Sequence, residues 1–169
     1  MRKRLFIISV GLFCSFLLVM GMGALASNPQ GVSVTANVPP TLTLDMPATT
    51  VNWNGSNLAP GAQYTQTITA TVSSNKDWSL MVYKGGDLSN GTDTIPSSNL
   101  LYSSSSTDPK VTATRTNREF ITNPGEYCVQ GTRGGSISSS IQYKITVPWD
   151  ITPGSYTVAG GHTYTATQP

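Results

Sequence analysis

Tyr64-Thr65-Gln66-Thr67-Ile68-Thr69-Ala70-Thr71-Val72 is the stretch on which the fold reading turns. In an extended chain Tyr64, Ile68, Ala70 and Val72 fall on one side, and Thr65, Thr67, Thr69 and Thr71 on the other. Period-two alternation means one face against a core and one in water. Four β-branched threonines on the wet face suit a half-exposed pleated surface. Directly afterwards Trp78, Leu80 and Val82 alternate with Ser79, Met81 and Tyr83. The polar Ser73-Ser74-Asn75-Lys76-Asp77 between the runs predicts a turn, and the two runs together predict a hairpin.

The same signal recurs outward from this centre. Val32, Val34, Ala36 and Val38 alternate with polar residues up to Pro39-Pro40, and Leu42, Leu44 and Met46 continue beyond. The proline pair predicts a sheet edge or a strand that changes sheets. Thr50-Val51-Asn52-Trp53 predicts a short strand. Residues 85–110 predict a long loop holding a strand near 99–103, and 111–122 predict weak strands at Val111–Thr114 and Glu119–Thr122. Residues 123–137, with Gly131, Gly134 and Gly135, predict a flexible stretch. Ile141, Tyr143, Ile145 and Val147 form a strong strand, and Tyr156, Val158, Tyr164 and Ala166 return. Gly160-Gly161 predicts a bulge within one long closing strand, with a tight hairpin turn as the alternative. The expected fold is an all-β, Ig-like antiparallel sandwich of about seven to nine strands, with a small β-barrel as the alternative.

The start of the chain carries a different signal. Arg2-Lys3-Arg4 precedes an uncharged apolar run, Leu5 to Met20, and Ala24-Leu25-Ala26 offers a small-residue cleavage site. This order predicts a signal peptide, 1–26, cut after Ala26, and a single domain, 27–169. The expectation is a secreted, extracellular or cell-surface protein that meets the membrane only through the signal peptide. Of the ten Lys and Arg, three lie in the signal; the seven beyond it face eight Asp and Glu, a net charge of −1. No basic patch for a nucleic-acid backbone exists in that balance. Cys128 is the one cysteine beyond the signal. With no partner for an internal disulfide, and without a neighbouring His or Lys to lower its pKa, it reads as a small buried apolar side chain.

No catalytic constellation emerges. Gly134-Gly135-Ser136-Ile137-Ser138 lacks the final glycine and the helix of a nucleophile elbow. Ser73-Ser74-Asn75-Lys76 fits S-x-x-K in letters but falls in a turn. His162, the only histidine, reads as a strand residue sharing a face with Tyr164. No cofactor is expected. The one oxygen-rich loop, Asp87 to Asp93, offers Asp87 and Asp93 toward Ca2+ but has neither the glycine position nor the closing glutamate of an EF-hand, and reads as a solvated turn. Trp53, Tyr83 and Trp149 are the candidate glycan-stacking residues, with Tyr102 also near a loop.

Two stretches carry a resemblance. Thr69 to Leu80, which contains the W-x-L triplet Trp78-Ser79-Leu80, resembles the strand–turn–strand of bacterial surface β-sandwich proteins, including the WxL type. Val147-Pro148-Trp149-Asp150-Ile151-Thr152-Pro153-Gly154-Ser155-Tyr156, with Tyr164-Thr165-Ala166-Thr167, is similar to their closing hairpin. The second W-x-L that the WxL type carries is not found in this sequence. The resemblance implies an exported protein that attaches to cell walls or builds surface assemblies. The functional expectation is accordingly a non-enzymatic structural protein whose partners are proteins or its own copies, self-associating by addition of the Val32–Met46 segment to a neighbour's sheet. The alternative is a carbohydrate- or cell-wall-binding module.

Overall fold

Alternating side chains make strands, and here the strands make two facing layers. A computed structural model describes residues 33–53 and 58–169. The expected signal peptide, its expected cleavage point and Val32 lie outside the described residues. The chain divides into two units, Met1–Asn37 and Val38–Pro169. In the first, residues 33–37 form no strand and are exposed.

In the second unit, one sheet orders β1 (Leu42–Asp45), β2 (Gln63–Ser74), β10 (Gly134–Thr146), β6 (Leu100–Ser105) and β8 (Arg118–Glu119). The other main sheet orders β12 (His162–Thr167), β3 (Trp78–Lys84), β9 (Glu126–Gly131) and β7 (Val111–Thr114). A small third sheet orders β11 (Thr157–Val158), β4 (Leu88–Ser89) and β5 (Thr94–Ile95). All pairings are antiparallel and none closes a barrel. The fold is therefore the expected β-sandwich.

The central threonine strand sits as its pattern requires. Ile68, Ala70 and Val72 are buried, while Thr65, Thr67 and Thr69 are exposed. Trp78, Leu80 and Val82 on β3, and Ile137, Ile141, Tyr143 and Ile145 on β10, complete the buried layer between the sheets. Burying each such large apolar side chain contributes roughly 1.5–3 kcal/mol.

Several local expectations are corrected. The runs 64–72 and 78–82 are not a hairpin: β2 pairs with β1 and β10, whereas β3 pairs with β9 and β12. The chain crosses from one sheet to the other at Asn75-Lys76-Asp77. Ser74 Oγ turns it, donating to the Lys76 carbonyl and accepting from the Lys76 N–H. Asn75 then holds the approach to β1, donating through Nδ2 to the Pro39 carbonyl and accepting from the Thr41 N–H. Alternation assigns faces and leaves the partner strand open, so a hairpin and a crossing look alike in sequence.

The segment ahead of β1 also departs from expectation. Val34 is 87% and Val38 76% exposed, and no strand begins before Leu42 among the described residues. Thr50–Trp53 forms no strand either. The Gly-rich stretch 123–137 instead contains β9 and the start of β10. Gly131 lies in a strand because a side chain there would strike Trp78: its Cβ would sit 2.5 Å from Cζ2 of the indole. Gly160-Gly161 is a turn between strands of different sheets, with the Gly161 N–H bonded to the Val158 carbonyl at 3.2 Å and both glycines at positive φ.

Trp78 thus lies beneath a second crossing as well, since its Nε1 donates to the Thr132 carbonyl at 3.1 Å between β9 and β10. Gly131→Ala should cost about 1–3 kcal/mol, the usual result of overpacking a filled core. Gly134→Ala should cost less, because its Cβ would meet the movable end of Lys110. Urea denaturation of the two variants side by side checks the order.

Candidate functional site

Three places on the described chain concentrate polar or exposed chemistry: the edge of β2, a seam of aromatic residues between the sheets, and the loops bearing the sequence-derived candidates.

The edge comes first. β10 pairs with β2 along its length, from Gln63 to Ser74. On the opposite side β1 reaches only from Thr71 to Ser74. After Asp45 the chain leaves the ladder at Met46-Pro47, and Pro47 has no N–H to contribute. Extending the β1 register would set Thr50 opposite Gln66. Asn52 lies there instead: its N–H donates to Gln66 Oε1 at 3.2 Å, and its carbonyl accepts from Gln66 Nε2. The Gln66 side-chain amide, a donor and an acceptor in one group, replaces a rung of backbone ladder. Val51 and Trp53 pack partly against the core. Trp53 Nε1 is buried there without a hydrogen-bond partner among the described residues. Beyond the Ser74 end of the same strand, Thr41, Thr43, Ser73, Ser74, Asn75, Gly134 and Gly135 line a shallow hollow of about 260 Å³.

The aromatic seam lies at the far end of β3. Phe120 packs between Tyr102, Tyr143 and His162, its ring centroid 3.8 Å from the imidazole in a stacked arrangement. His162 Nδ1 is 3.2 Å from the Tyr143 hydroxyl, which meets the Tyr164 hydroxyl at 2.9 Å. Tyr143 belongs to one sheet and Tyr164 to the other, so the hydroxyl pair pins the layers together. Tyr102 makes a second pin by donating to Glu126 Oε1 at 2.8 Å. Burial opposes ionisation of Glu126, but hydrogen bonds from Arg118 and Tyr102 outweigh it and hold the carboxyl below its ordinary value. Ser104 adds a third, bonding the Cys128 carbonyl across the sandwich and accepting from the Arg115 N–H.

Burial, with Lys84 adding to it, pushes the His162 pKa down to about 4. The imidazole therefore serves as a neutral packing and hydrogen-bonding group. Sequence reasoning placed His162 and Tyr164 on one face and the structure agrees, but the stack on Phe120 depends on long-range folding.

The candidate residues scatter. Trp53 is half-buried against the core, Tyr83 is half-buried on β3, and Trp149 is 79% exposed, its indole lying close against Gly61. No contact joins the three among the described residues. Tyr102, expected near a loop and in a strand near 99–103, is wholly buried because it falls on the inward parity of β6. Asp87 accepts from Lys84 and Ser97, each at 2.6 Å to Nζ and Oγ, and these bonds lower its pKa. Asp93 accepts from the Thr152 N–H at 2.6 Å, while Asn90 caps the turn between β4 and β5. The two carboxylates are thus committed to different partners. No group of three or more His, Cys, Asp or Glu suited to a metal occurs among the described residues. Cys128 is fully buried, its thiol donating to the Leu80 carbonyl, and burial pushes its pKa up to about 12. Ser73 and Lys76 stand at the sheet crossing, where Ser73 Oγ accepts from the Ser136 N–H.

Sequence reasoning passed over Gln66, although it is a polar residue on the inward parity of β2 and breaks the run between Tyr64 and Ile68. That interruption was the available signal.

No protein-family model and no curated protein matches this sequence.

The seam generates a pH prediction. An imidazole at about 4 when folded and 6.5 when exposed stabilises the fold fully above pH 6.5, and the stabilisation fades as pH falls toward 4. The loss amounts to about 3 kcal/mol at most. His162→Phe keeps the aromatic stack and removes the titration. The urea midpoint of the native protein should be lower at pH 5 than at pH 7, and that of the variant should stay level.

Proposed function

We propose that this protein is a non-enzymatic, exported structural subunit of a cell-surface or extracellular assembly. The carrying observation is the exposed valine-bearing segment ahead of β1. Large exposed apolar side chains among the described residues are Val34, Val38, Ile121 and Trp149, and two of these four fall within one short alternating stretch. Scattered exposed apolar residues are normal, but a local concentration marks an interaction surface. The positively charged, apolar and small-residue order of residues 1–26 supports export, and the resemblance to WxL-type surface proteins supports a place at the cell surface. The low charge of the rest of the chain and its hydroxyl-rich strands agree with an extracellular life. Purified protein, followed by light scattering and negative-stain electron microscopy over rising concentration, should form ordered oligomers or filaments. A single monomeric species throughout that range would defeat this reading.

Trp149 favours a second reading. Its exposed indole, backed by Gly61, offers a flat apolar surface of the kind sugars stack on. In a cell-wall polysaccharide pull-down, a wall-binding module would lose at least ten-fold of its retention on Trp149→Ala. Equal retention of both proteins would remove the basis for this alternative.

A further inference from the structure

We propose that the open edge of β2, from Thr65 to Ala70, accepts residues 33–38 of a second copy of this chain as an added strand. This rests on the assembly reading above and names its two surfaces.

The acceptor is a length of strand with a ladder on one side only. β10 pairs with β2 throughout, and β1 stops at Thr71. Backbone N–H and C=O groups along such an edge are a ready template for another strand. The chain's own 50–53 segment covers the site without a ladder, tied to β2 by the Gln66 amide. Its Trp53 indole N–H is buried without a hydrogen-bond partner among the described residues, so the cover leaves a desolvated donor unsatisfied. The cover is therefore replaceable: an incoming strand exchanges a side-chain substitute for backbone rungs.

The donor matches the acceptor in length and in facing. Set antiparallel with Thr35 opposite Thr69, residues 34–38 run along Gln66–Ala70. Val34, Ala36 and Val38 share one side of the donor, while Ser33, Thr35 and Asn37 share the other. On the acceptor, Ile68 and Ala70 face inward, and Thr65, Thr67 and Thr69 face outward. One alignment of sides puts valines over the core and hydroxyls beside the threonine face. A one-residue slip would bury Thr35 and Asn37 instead, so the pairing specifies its own register.

The donor belongs to another copy. In its own chain, Pro39 and Thr41 are held by Asn75 at the opposite end of β2, and β1 occupies the edge between that anchor and the open stretch. Leu42–Asp45, counted in the donor from sequence, is already spent on β1, which shortens the donor to 33–38. Donor and acceptor are different surfaces, so each copy gives to one neighbour and takes from another. Such head-to-tail contacts build filaments or rings.

The test uses the protein as cells export it. Val34→Asp with Val38→Asp should raise the concentration needed for assembly at least ten-fold while leaving the thermal midpoint of the unassembled chain unchanged, since both side chains are exposed in it. Separately, Thr35→Cys and Thr69→Cys proteins are mixed and treated with a short bismaleimide; a covalent dimer should form in the mixture and in neither protein alone. Assembly that survives the aspartates, with no dimer in the mixture, would overturn the inference and leave the assembly reading intact. No assembly by the unaltered protein would overturn both.

Discussion

The packing of Trp78 beneath two sheet crossings is the constraint on which the sandwich depends. The indole begins β3 directly after the chain has left β2, and it lies against Gly131 where β9 gives way to β10. Its Nε1 bond to the Thr132 carbonyl ties the first crossing to the second. The crossings that follow β2 and precede β10 therefore both pass one side chain. An aromatic ring in that position supplies burial and a directed polar contact together, and the glycine opposite it is the space the ring requires.

At the other end of β3 the layers are held by different means. The hydroxyls of Tyr143 and Tyr164, the Tyr102–Glu126 bond and the His162–Phe120 stack place polar contacts inside a dry region. Such contacts add little net energy while satisfied and cost much when broken. They make the pairing of the sheets selective, because a shifted layer would leave hydroxyls and a carboxylate unpaired. Aliphatic side chains fill most of the space between, with the Ser104–Cys128 bond among them, so the polar contacts that select the pairing are few.

This division explains what could be read from the residues. Faces were legible wherever alternation was strong: Ile68, Ala70 and Val72; Trp78, Leu80 and Val82; Ile141, Tyr143, Ile145 and Val147 all lie inward. Partners were not legible, since Ser74 and Trp78 point inward equally in a hairpin and in a crossing. Val34 and Val38 alternate as well as any strand and lie exposed, because alternation marks two faces and does not supply a neighbouring strand to cover one of them. Gly131 looked like a loop residue; the demand on it comes from an indole far away in the chain. Of the candidate site residues, Trp149 lies in the open, whereas the role of Gln66 emerged only when the two-residue slip of Asn52 placed it against the amide.

The burial of Cys128 bears on the export proposed above. Exported proteins meet oxidants and one another's thiols, and a solitary exposed cysteine there invites mixed disulfides. Cys128 is sealed between the layers as a neutral thiol bonded to the Leu80 carbonyl. Redox partners can reach it only after the two layers separate. A covalent adduct at this sulfur would therefore be a record that the molecule had opened, and the proportion of labelled sulfur a gauge of how often it does.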